Sequence, residues 1–197
     1  MIDDIPIILS DLGNFKPPYW VEVGSGGYGR ELWKQWIHCD PHIPIERHHI
    51  EIKCYAWRLP FENKSVERIY GRGMWEHLSY EQCDRAMMEW LRVLQSGGTI
   101  EFNFPPIDHY IQRYNDGRAD WLFLQHAIWG WQIFPEDCHL SGWTVNTITE
   151  FLNRFKDNFA SIKIFPAYHL IPGDIVEVDS YDGWDNGVHT WVRLAIK

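Results

Sequence analysis

The sequence predicts a single α/β domain built on a largely parallel β-sheet, with helices on both faces. Short apolar segments alternate with glycine turns and helix-like repeats along most of the chain. The 197 residues are 45% hydrophobic and 23% charged, which suits one domain with one sizeable core. The first clear strand, residues 19–23, runs directly into a glycine-rich turn. Together these features predict a sheet with a ligand site at one of its edges.

Seven segments carry the short apolar or alternating pattern of β-strands. In chain order they are residues 19–23, 37–40, 50–57, 66–70, 99–104, 159–169 and 188–196. Pro41 ends the second segment, Gly71 and Gly73 the fourth, and Pro105–Pro106 the fifth. The last two segments most simply pair with each other as an antiparallel edge of the sheet.

Three segments have the three- and four-residue apolar spacing of amphipathic helices. They cover residues 28–36, 80–95 and 145–155. Ser79 and Gln82 predict a capping box at the start of the second helix, and Gly97–Gly98 predict its end. Thr147 and Glu150 offer a start signal within the third.

Two connections have no regular pattern. Residues 41–49 contain two prolines and three histidines, which predicts a loop or one helical turn. Residues 107–143 are rich in aromatic side chains and histidine. We interpret this second segment as an insertion within the domain 1–197, with one or two short helices. Substrate contacts are expected there.

The turn after the first strand is suited to a nucleotide. Gly24, Gly26 and Gly27 lack a Cβ atom, so they can adopt positive φ and let a ligand touch the backbone. The following helix would offer unpaired N–H groups to the same ligand. Gly24, Gly26 and Gly29 also fit the G-x-G-x-x-G pattern of dinucleotide-binding folds, so a nicotinamide oxidoreductase is one alternative. An ordinary glycine turn is another.

Charge and cysteine usage exclude several classes of partner and location. The net charge of −9 argues against nucleic acid, because binding a phosphate backbone needs clustered Lys and Arg. Four cysteines occur without a C-x-x-C pair, which is typical of reduced cytoplasmic proteins. Residues 1–12 are acidic and contain Pro6, unlike a signal or transit peptide, and no apolar run approaches the roughly 20 residues of a membrane span. We therefore expect a cytoplasmic protein without a membrane partner; its oligomeric state stays open.

Two groups of possible metal ligands lack the spacing of known sites. One is a set of histidines without a paired cysteine, and the other is an acidic loop without the alternate-residue order of a calcium loop. The histidines stand at positions 38, 42, 48 and 49, and the acids at 179, 182 and 185. No metal is expected from these patterns.

Four separated motifs carry a resemblance to one known family. They are Glu22–Gly27, Leu59–Ser65, Glu76–Leu78 and Arg92–Gly98. By their order and spacing the chain resembles class I S-adenosylmethionine-dependent methyltransferases, in particular the group called methyltransferase type 11. The motifs span about residues 19–105, roughly half of the chain. The resemblance implies a Rossmann-like, seven-stranded, mostly parallel sheet with an antiparallel last strand, and a ligand where the strand order reverses.

The resemblance also implies S-adenosylmethionine as the cofactor. Gly24, Gly26 and Gly27 would let its methionine part lie against the backbone, and Glu22 would face its ammonium group. Asp40 would accept hydrogen bonds from both ribose hydroxyls. It follows Gly24 by sixteen residues, less than the roughly 20 of dehydrogenases, which favours a methyltransferase over a nicotinamide enzyme. The remaining expected cofactor contacts are Ser25, Tyr55, Ala56, Trp57, Met74 and Trp75.

Two positions depart from the family pattern. Tyr55 stands where the family commonly has an acidic residue at the adenine edge, so a ring contact and the backbone near Ala56 and Trp57 would have to hold the base. Glu67 replaces the usual aspartate of the fourth strand, a conservative structural change.

The resemblance implies an in-line transfer of a methyl group from a sulfonium. This reaction mainly requires that the protein position the acceptor and exclude water. A hydroxyl acceptor benefits from a histidine base, and His77 and His139 are the two candidates, although each could simply cap or pack. Asn103, Pro105 and Trp143 are expected to border the acceptor. Our hypothesis is a methyltransferase acting on a small-molecule or sugar-like acceptor. The alternative is a catalytically inactive binding or assembly module with the same fold.

Overall fold

A nine-stranded sheet runs through the part of the chain that the structure describes. The computed structural model describes residues 8–9, 12–13, 15–26, 35–42, 50–171, 174–177 and 189–197. The strands are β1 Ile8–Leu9, β2 Tyr19–Val23, β3 Trp36–Cys39, β4 Ile52–Lys53, β5 Val66–Gly71, β6 Leu94–Phe104, β7 Phe159–Ile171, β8 Asp174–Glu177 and β9 His189–Ile196.

The strand order is β1-β4-β3-β2-β5-β6-β9-β7-β8. Strands β4, β3, β2, β5 and β6 are parallel, and β9 lies antiparallel between β6 and β7. The seven-stranded arrangement and the antiparallel last strand are therefore confirmed, but β4 covers only Ile52–Lys53 of the predicted 50–57, and β6 begins at Leu94 instead of residue 99. The predicted antiparallel pairing of the last two segments is confirmed by β7 and β9, and only the short β8 lies beyond them at that edge. Strands β1 and β8, which extend the two edges, are too short to show a pattern in the sequence.

Four helices accompany the sheet in the described ranges: α1 Tyr80–Val93, α2 Ile107–Asn115, α3 Trp121–Trp129 and α4 Val145–Asn153. The sequence predicts one or two short helices within residues 107–143, and the structure has α2 and α3 there. The helix predicted over 28–36 falls mostly outside the described residues, as do 43–49 and the acidic loop. Among the described residues, no helix has the length and apolarity needed to cross a membrane.

The predicted first residues of the helices agree with the structure better than the predicted last residues do. Ser79 forms the expected capping box with Gln82. Helix α1 ends at Val93, before the predicted Gln95, because Leu94 is extended and already pairs with β5. Helix α4 is capped by Thr144, so the predicted start signal at Thr147 and Glu150 was placed three residues late.

The alternation of side chains along the strands separates two apolar clusters. One face of the sheet packs against α1 and α4, which contribute Trp90 and Phe151 to a large core. The other face carries a smaller aromatic cluster that includes Trp36, Tyr70 and Trp191. The order of the strands reverses between β2 and β5, so the carboxyl end of β2 marks the expected ligand edge.

Candidate active site

A cleft of about 640 Å³ opens at the carboxyl ends of β2 and β3. Many of the predicted site residues line it, and they come from four separate segments of the chain. These residues are Gly24, Gly26, Asp40, Tyr55, Ala56, Trp57, Met74 and His77. The position at the reversal of the strand order is the one that open α/β sheets use for ligands.

The glycine turn forms the floor of the cleft. Gly24 and Gly26 have φ values of +65° and +62°, a backbone conformation that residues with a Cβ atom rarely adopt. A Cβ atom on Gly24 would lie 2.6 Å from the Cβ atom of Met74. Glycine is therefore required at position 24 by both φ and close approach. Gly27 lies outside the described residues.

Asp40 presents a fixed carboxylate to the cleft. Its side chain is buried, with Oδ2 accepting from the Gly26 N–H at 3.0 Å and Oδ1 from the His42 N–H at 2.9 Å. A carboxylate oxygen can accept a second hydrogen bond. Asp40 can therefore hold two hydroxyl groups of a ligand while the backbone keeps it in place.

Two stacked rings form an aromatic wall, defined here as Tyr55 and Trp57. Their centroids are 4.6 Å apart and their planes differ by 8°. The carbonyl oxygen of Ala56, between them, accepts from Trp90 Nε1 at 3.0 Å and ties the wall to helix α1. The wall lies in the segment where the sequence predicts adenine contacts, and its flat faces suit a planar ring.

Arg92 of helix α1 supports the turn that follows this wall. Its guanidinium donates to the carbonyl oxygens of Leu59 and Phe61 at 3.1 and 2.9 Å, and to Glu89. Glu89 in turn accepts from the Leu59 N–H at 2.8 Å. This arrangement explains why the motifs Leu59–Ser65 and Arg92–Gly98 occur together.

Replacing Arg92 with alanine is expected to lower the free energy of unfolding by about 2 kcal/mol, because several partly buried acceptors lose a charged donor. Lysine should restore less than half of this loss, since it lacks the planar fork. Urea denaturation measures both. Arg118→Ala, which removes a surface pair with Asp116, is the control and should cost less than about 1 kcal/mol. If Arg92→Ala and the control had the same free energy of unfolding, the proposed stabilisation of this turn by Arg92 would be contradicted.

Two predicted polar contacts lie away from the cleft. Glu22 is 1% exposed, and its Oε2 lies 2.6 Å from Nδ1 of His38, its register partner on β3. Asn103 is 1% exposed and accepts from the Gly73 N–H at 2.7 Å. Neither residue lines the cleft. The alternation of side chains along β2 explains why Glu22 does not line the cleft, because its neighbour Val23 takes the cleft-facing position.

Four further predicted residues are buried and do not line the cleft. Trp75 is fully buried against Trp90 and Phe102, and so belongs to the core. Trp143 packs on Trp75 in the same core. Ser25 is 3% exposed, and Pro105 is buried as well. In this structure these four side chains pack behind the residues that line the cleft, and their ligand contacts stay predictions.

The chain segment that leads from the insertion back to the sheet forms a further wall of the cleft. The sequence predicted substrate contacts only for the region 107–143 as a whole. Residues 134–138 and Leu140 line the cleft together with the glycine turn. The Leu140 and Ser141 N–H groups donate to the Glu76 carbonyl at 2.8 and 3.1 Å, which docks this segment on the short helix Trp75–His77. The aromatic and histidine content of residues 107–143 was the only signal in the sequence for this wall.

His77 and His139 meet next to this docking point. Their ring centroids are 4.9 Å apart and their planes are nearly perpendicular. Nδ1 of His77 lies 3.2 Å from the Cys138 carbonyl oxygen, and Nδ1 of His139 lies 3.0 Å from that of Ala127. Burial, and secondly the charge of His77, lower the pKa of His139 to about 4, so this ring is neutral at pH 7. His77 lines the cleft, whereas His139 lies behind it.

Glu76 adds a buried carboxyl group to the two histidines. Its side chain is 5% exposed, and Oε2 has no hydrogen-bond partner among the described residues. Burial raises the pKa of Glu76, and the nearby His77 opposes this rise. Sequence reasoning used Glu76 only as part of a motif and did not identify it as a site residue.

His189 is a further neutral histidine near this end of the sheet. Its Nδ1 lies 3.0 Å from Nδ2 of Asn103. Burial, followed by electrostatic interactions with Arg72 and His139, lowers the pKa of His189 to about 4. Its ordinary value is about 6.5, so the unfolded chain binds a proton on His189 at a higher pH than the folded chain does.

The free energy of unfolding should therefore fall as the pH drops from about 6.5 toward 4, and His189 should account for part of this loss. Because the ring keeps some exposure, its contribution should stay below the roughly 3 kcal/mol of a full shift. Urea denaturation at pH 7 and pH 5 of the wild type and His189→Gln measures it. The wild type should lose more stability than the variant; equal losses would contradict the prediction.

Comparison with solved structures shows the fold. The chain is similar to an S-adenosylmethionine-dependent methyltransferase from Archaeoglobus fulgidus (TM-score 0.56, 14% identity, 91% of this chain and 86% of that chain). It is also similar to a possible histamine N-methyltransferase from Thermotoga maritima (TM-score 0.55, 16% identity, 91% and 82%). The N-methyltransferase NodS from Bradyrhizobium japonicum, in complex with S-adenosylhomocysteine, matches with a TM-score of 0.54 at 12% identity (94% and 81%). No protein-family model and no curated protein matches the chain. At these identities, the likeness establishes a methyltransferase fold.

Proposed function

We propose that the protein is an S-adenosylmethionine-dependent methyltransferase that acts on a small molecule. The observation that carries this proposal is the Asp40 carboxylate, fixed by the N–H groups of Gly26 and His42 and facing the cleft beside the glycine turn. The shared fold supports it, because the cleft lies where the strand order reverses.

The cleft residues define how the cofactor would lie. Its methionine part would run along Gly24 and Gly26, where the backbone is open to close contact. Its ribose hydroxyls would donate to Asp40. Its adenine would lie near the aromatic wall of Tyr55 and Trp57, which takes the place of the acidic residue common in the family.

The sulfonium would then lie between Met74 and the wall formed by residues 134–138, with His77 on the acceptor side. Methyl transfer breaks the carbon–sulfur bond and joins the methyl group to an acceptor heteroatom, so positioning and exclusion of water dominate. We propose that His77, supported by His139, acts on the proton of the acceptor. An unprotonated imidazole is suited to that role.

Several free cysteines accompany this site. Cys39, Cys54 and Cys83 are buried and unpaired, and Cys138 is free and partly exposed. Free thiols fit a reducing compartment, which supports our proposal of a cytoplasmic protein. The acidic net charge supports a small-molecule substrate over nucleic acid.

Isothermal titration calorimetry with S-adenosylhomocysteine tests the proposal. One saturable site per chain with micromolar or tighter affinity is expected. No heat of binding at high micromolar concentration would contradict the proposal. A parallel fluorescence titration with reduced nicotinamide should show no binding, and saturation by that ligand would favour the oxidoreductase alternative. Binding of S-adenosylhomocysteine without methyl transfer to any tested acceptor would favour a catalytically inactive binding module.

A further inference from the structure

Three side chains with metal-binding chemistry converge beside the cleft. The candidate ligand atoms of Glu76, His77 and His139 all lie within 4.8 Å of one another. They come from segments about 60 residues apart, joined by the hydrogen bonds from Leu140 and Ser141 to the Glu76 carbonyl. Of the histidines that the sequence suggested as a group to consider, His38 and His42 do not belong to this cluster, and those at 48 and 49 lie outside the described residues.

Both histidine rings are held in the way that metal-bound histidines usually are. Each places Nδ1 against a backbone carbonyl oxygen, Cys138 for His77 and Ala127 for His139. A hydrogen bond from Nδ1 fixes the tautomer in which Nε2 keeps its lone pair. The main chain holds His139 a second time, because its N–H donates to the Trp129 carbonyl at 3.2 Å.

The Glu76 carboxyl group provides an independent observation. It is 5% exposed, and Oε2 has no hydrogen-bond partner among the described residues. A buried carboxylate without a partner is costly, and a bound cation is one of the few groups that relieves this cost. The cluster therefore offers a cation one carboxylate oxygen of Glu76 and one ring nitrogen each of His77 and His139.

We propose that Glu76, His77 and His139 bind one divalent transition-metal ion, with zinc the best match to two imidazoles and one carboxylate. Three protein ligands leave a coordination position for a further group, as in catalytic zinc sites. Bonds of about 2.0–2.2 Å require ligand atoms roughly 3.3 Å apart, so the widest pair has to close by about 1.5 Å. Metal binding would therefore require side-chain rotation within the cluster.

The position of His77 gives the ion a role that rests on the proposed function. His77 lines the cleft, so the ion would hold the acceptor heteroatom at its open position. In that state the ion, and not Nε2 of His77, would contact the acceptor. Metal binding itself needs no methyl donor and can be tested without one.

The test uses the full chain, freed of metal by a chelator and titrated with Co²⁺, whose visible absorption reports coordination by protein nitrogen and oxygen. One Co²⁺ per chain is expected, displaced by Zn²⁺. Glu76→Gln, His77→Gln and His139→Gln should each weaken Co²⁺ binding by about 10-fold or more. The control is His126→Gln: His126 stacks on Trp131 and does not line the cleft, so Co²⁺ binding should be unchanged.

Thermal unfolding shows whether a variant has merely lost its fold. In chelator, Glu76→Gln should unfold at the wild-type temperature or above it, because it replaces a buried carboxyl group, whose Oε2 has no hydrogen-bond partner among the described residues, with a neutral amide. Zn²⁺ should raise the unfolding temperature of the wild type by more than it raises that of Glu76→Gln, because the variant binds the ion more weakly. Absence of Co²⁺ absorption in the wild type, or equal Co²⁺ affinity of all four variants, would overturn the metal site. If metal-free protein still binds S-adenosylhomocysteine, that result would leave the proposed function standing.

Discussion

Replacing Asp40 with alanine is expected to lower the affinity for S-adenosylhomocysteine by about 100-fold or more. Two hydroxyl donors would lose a charged acceptor, and each such hydrogen bond contributes about 1.5–3 kcal/mol. The variant also frees the N–H groups of Gly26 and His42, which now donate to the carboxylate. Isothermal titration calorimetry measures the change in affinity.

Two variants make this test specific. Asp40→Asn keeps the shape of the side chain and one acceptor oxygen, so its loss of affinity should be smaller than that of alanine. Asp116→Ala removes an exposed carboxylate far along the chain, at the end of α2, and should bind as the wild type does. Affinity of Asp40→Ala within threefold of the wild type would show that the ribose is not held there.

Replacing Trp75 with alanine is expected to lower the free energy of unfolding by about 4 kcal/mol, which is the cost of a large cavity in a packed core. Trp75 is fully buried, and its ring centroid lies 4.3 Å from that of Phe102 and 5.6 Å from that of Phe151. Urea denaturation measures the loss.

The matched control for this variant is Trp131→Ala. Trp131 is 64% exposed, so the same truncation should cost less than about 1 kcal/mol. If Trp75→Ala kept wild-type stability and instead lost S-adenosylhomocysteine binding, the sequence-based assignment of Trp75 to the cofactor would be correct and its assignment to the core wrong.

The sheet could be predicted because its strands carry their own signals. Strands β2 and β5 are short apolar runs that end at glycines, and the capping box at Ser79 fixes the start of α1 locally. The end of α1 could not be predicted in the same way. Leu94 fits a helical repeat in the sequence, but its pairing with Val66 draws it into an extended strand.

The residues of the candidate site likewise fall into two groups: those that strand ends in the sequence could locate, and those that only the tertiary fold brings together. Gly24, Gly26 and Asp40 lie at strand ends, where the topology alone brings them to one edge, and the structure places them in the cleft. Trp75 and His77 are two residues apart in one short helical turn, and the sequence does not show which of them faces the core. The meeting of Glu76 with His139 depends on how the insertion returns to the sheet, a path that no local pattern encodes.

A crystal structure of the protein with S-adenosylhomocysteine tests the central claim most directly. The account predicts that both ribose hydroxyls lie within hydrogen-bond distance of Asp40, with the methionine part against Gly24 and Gly26 and the sulfur facing His77. A ligand bound elsewhere on the surface, or a cleft that stays empty at saturating ligand, would contradict it.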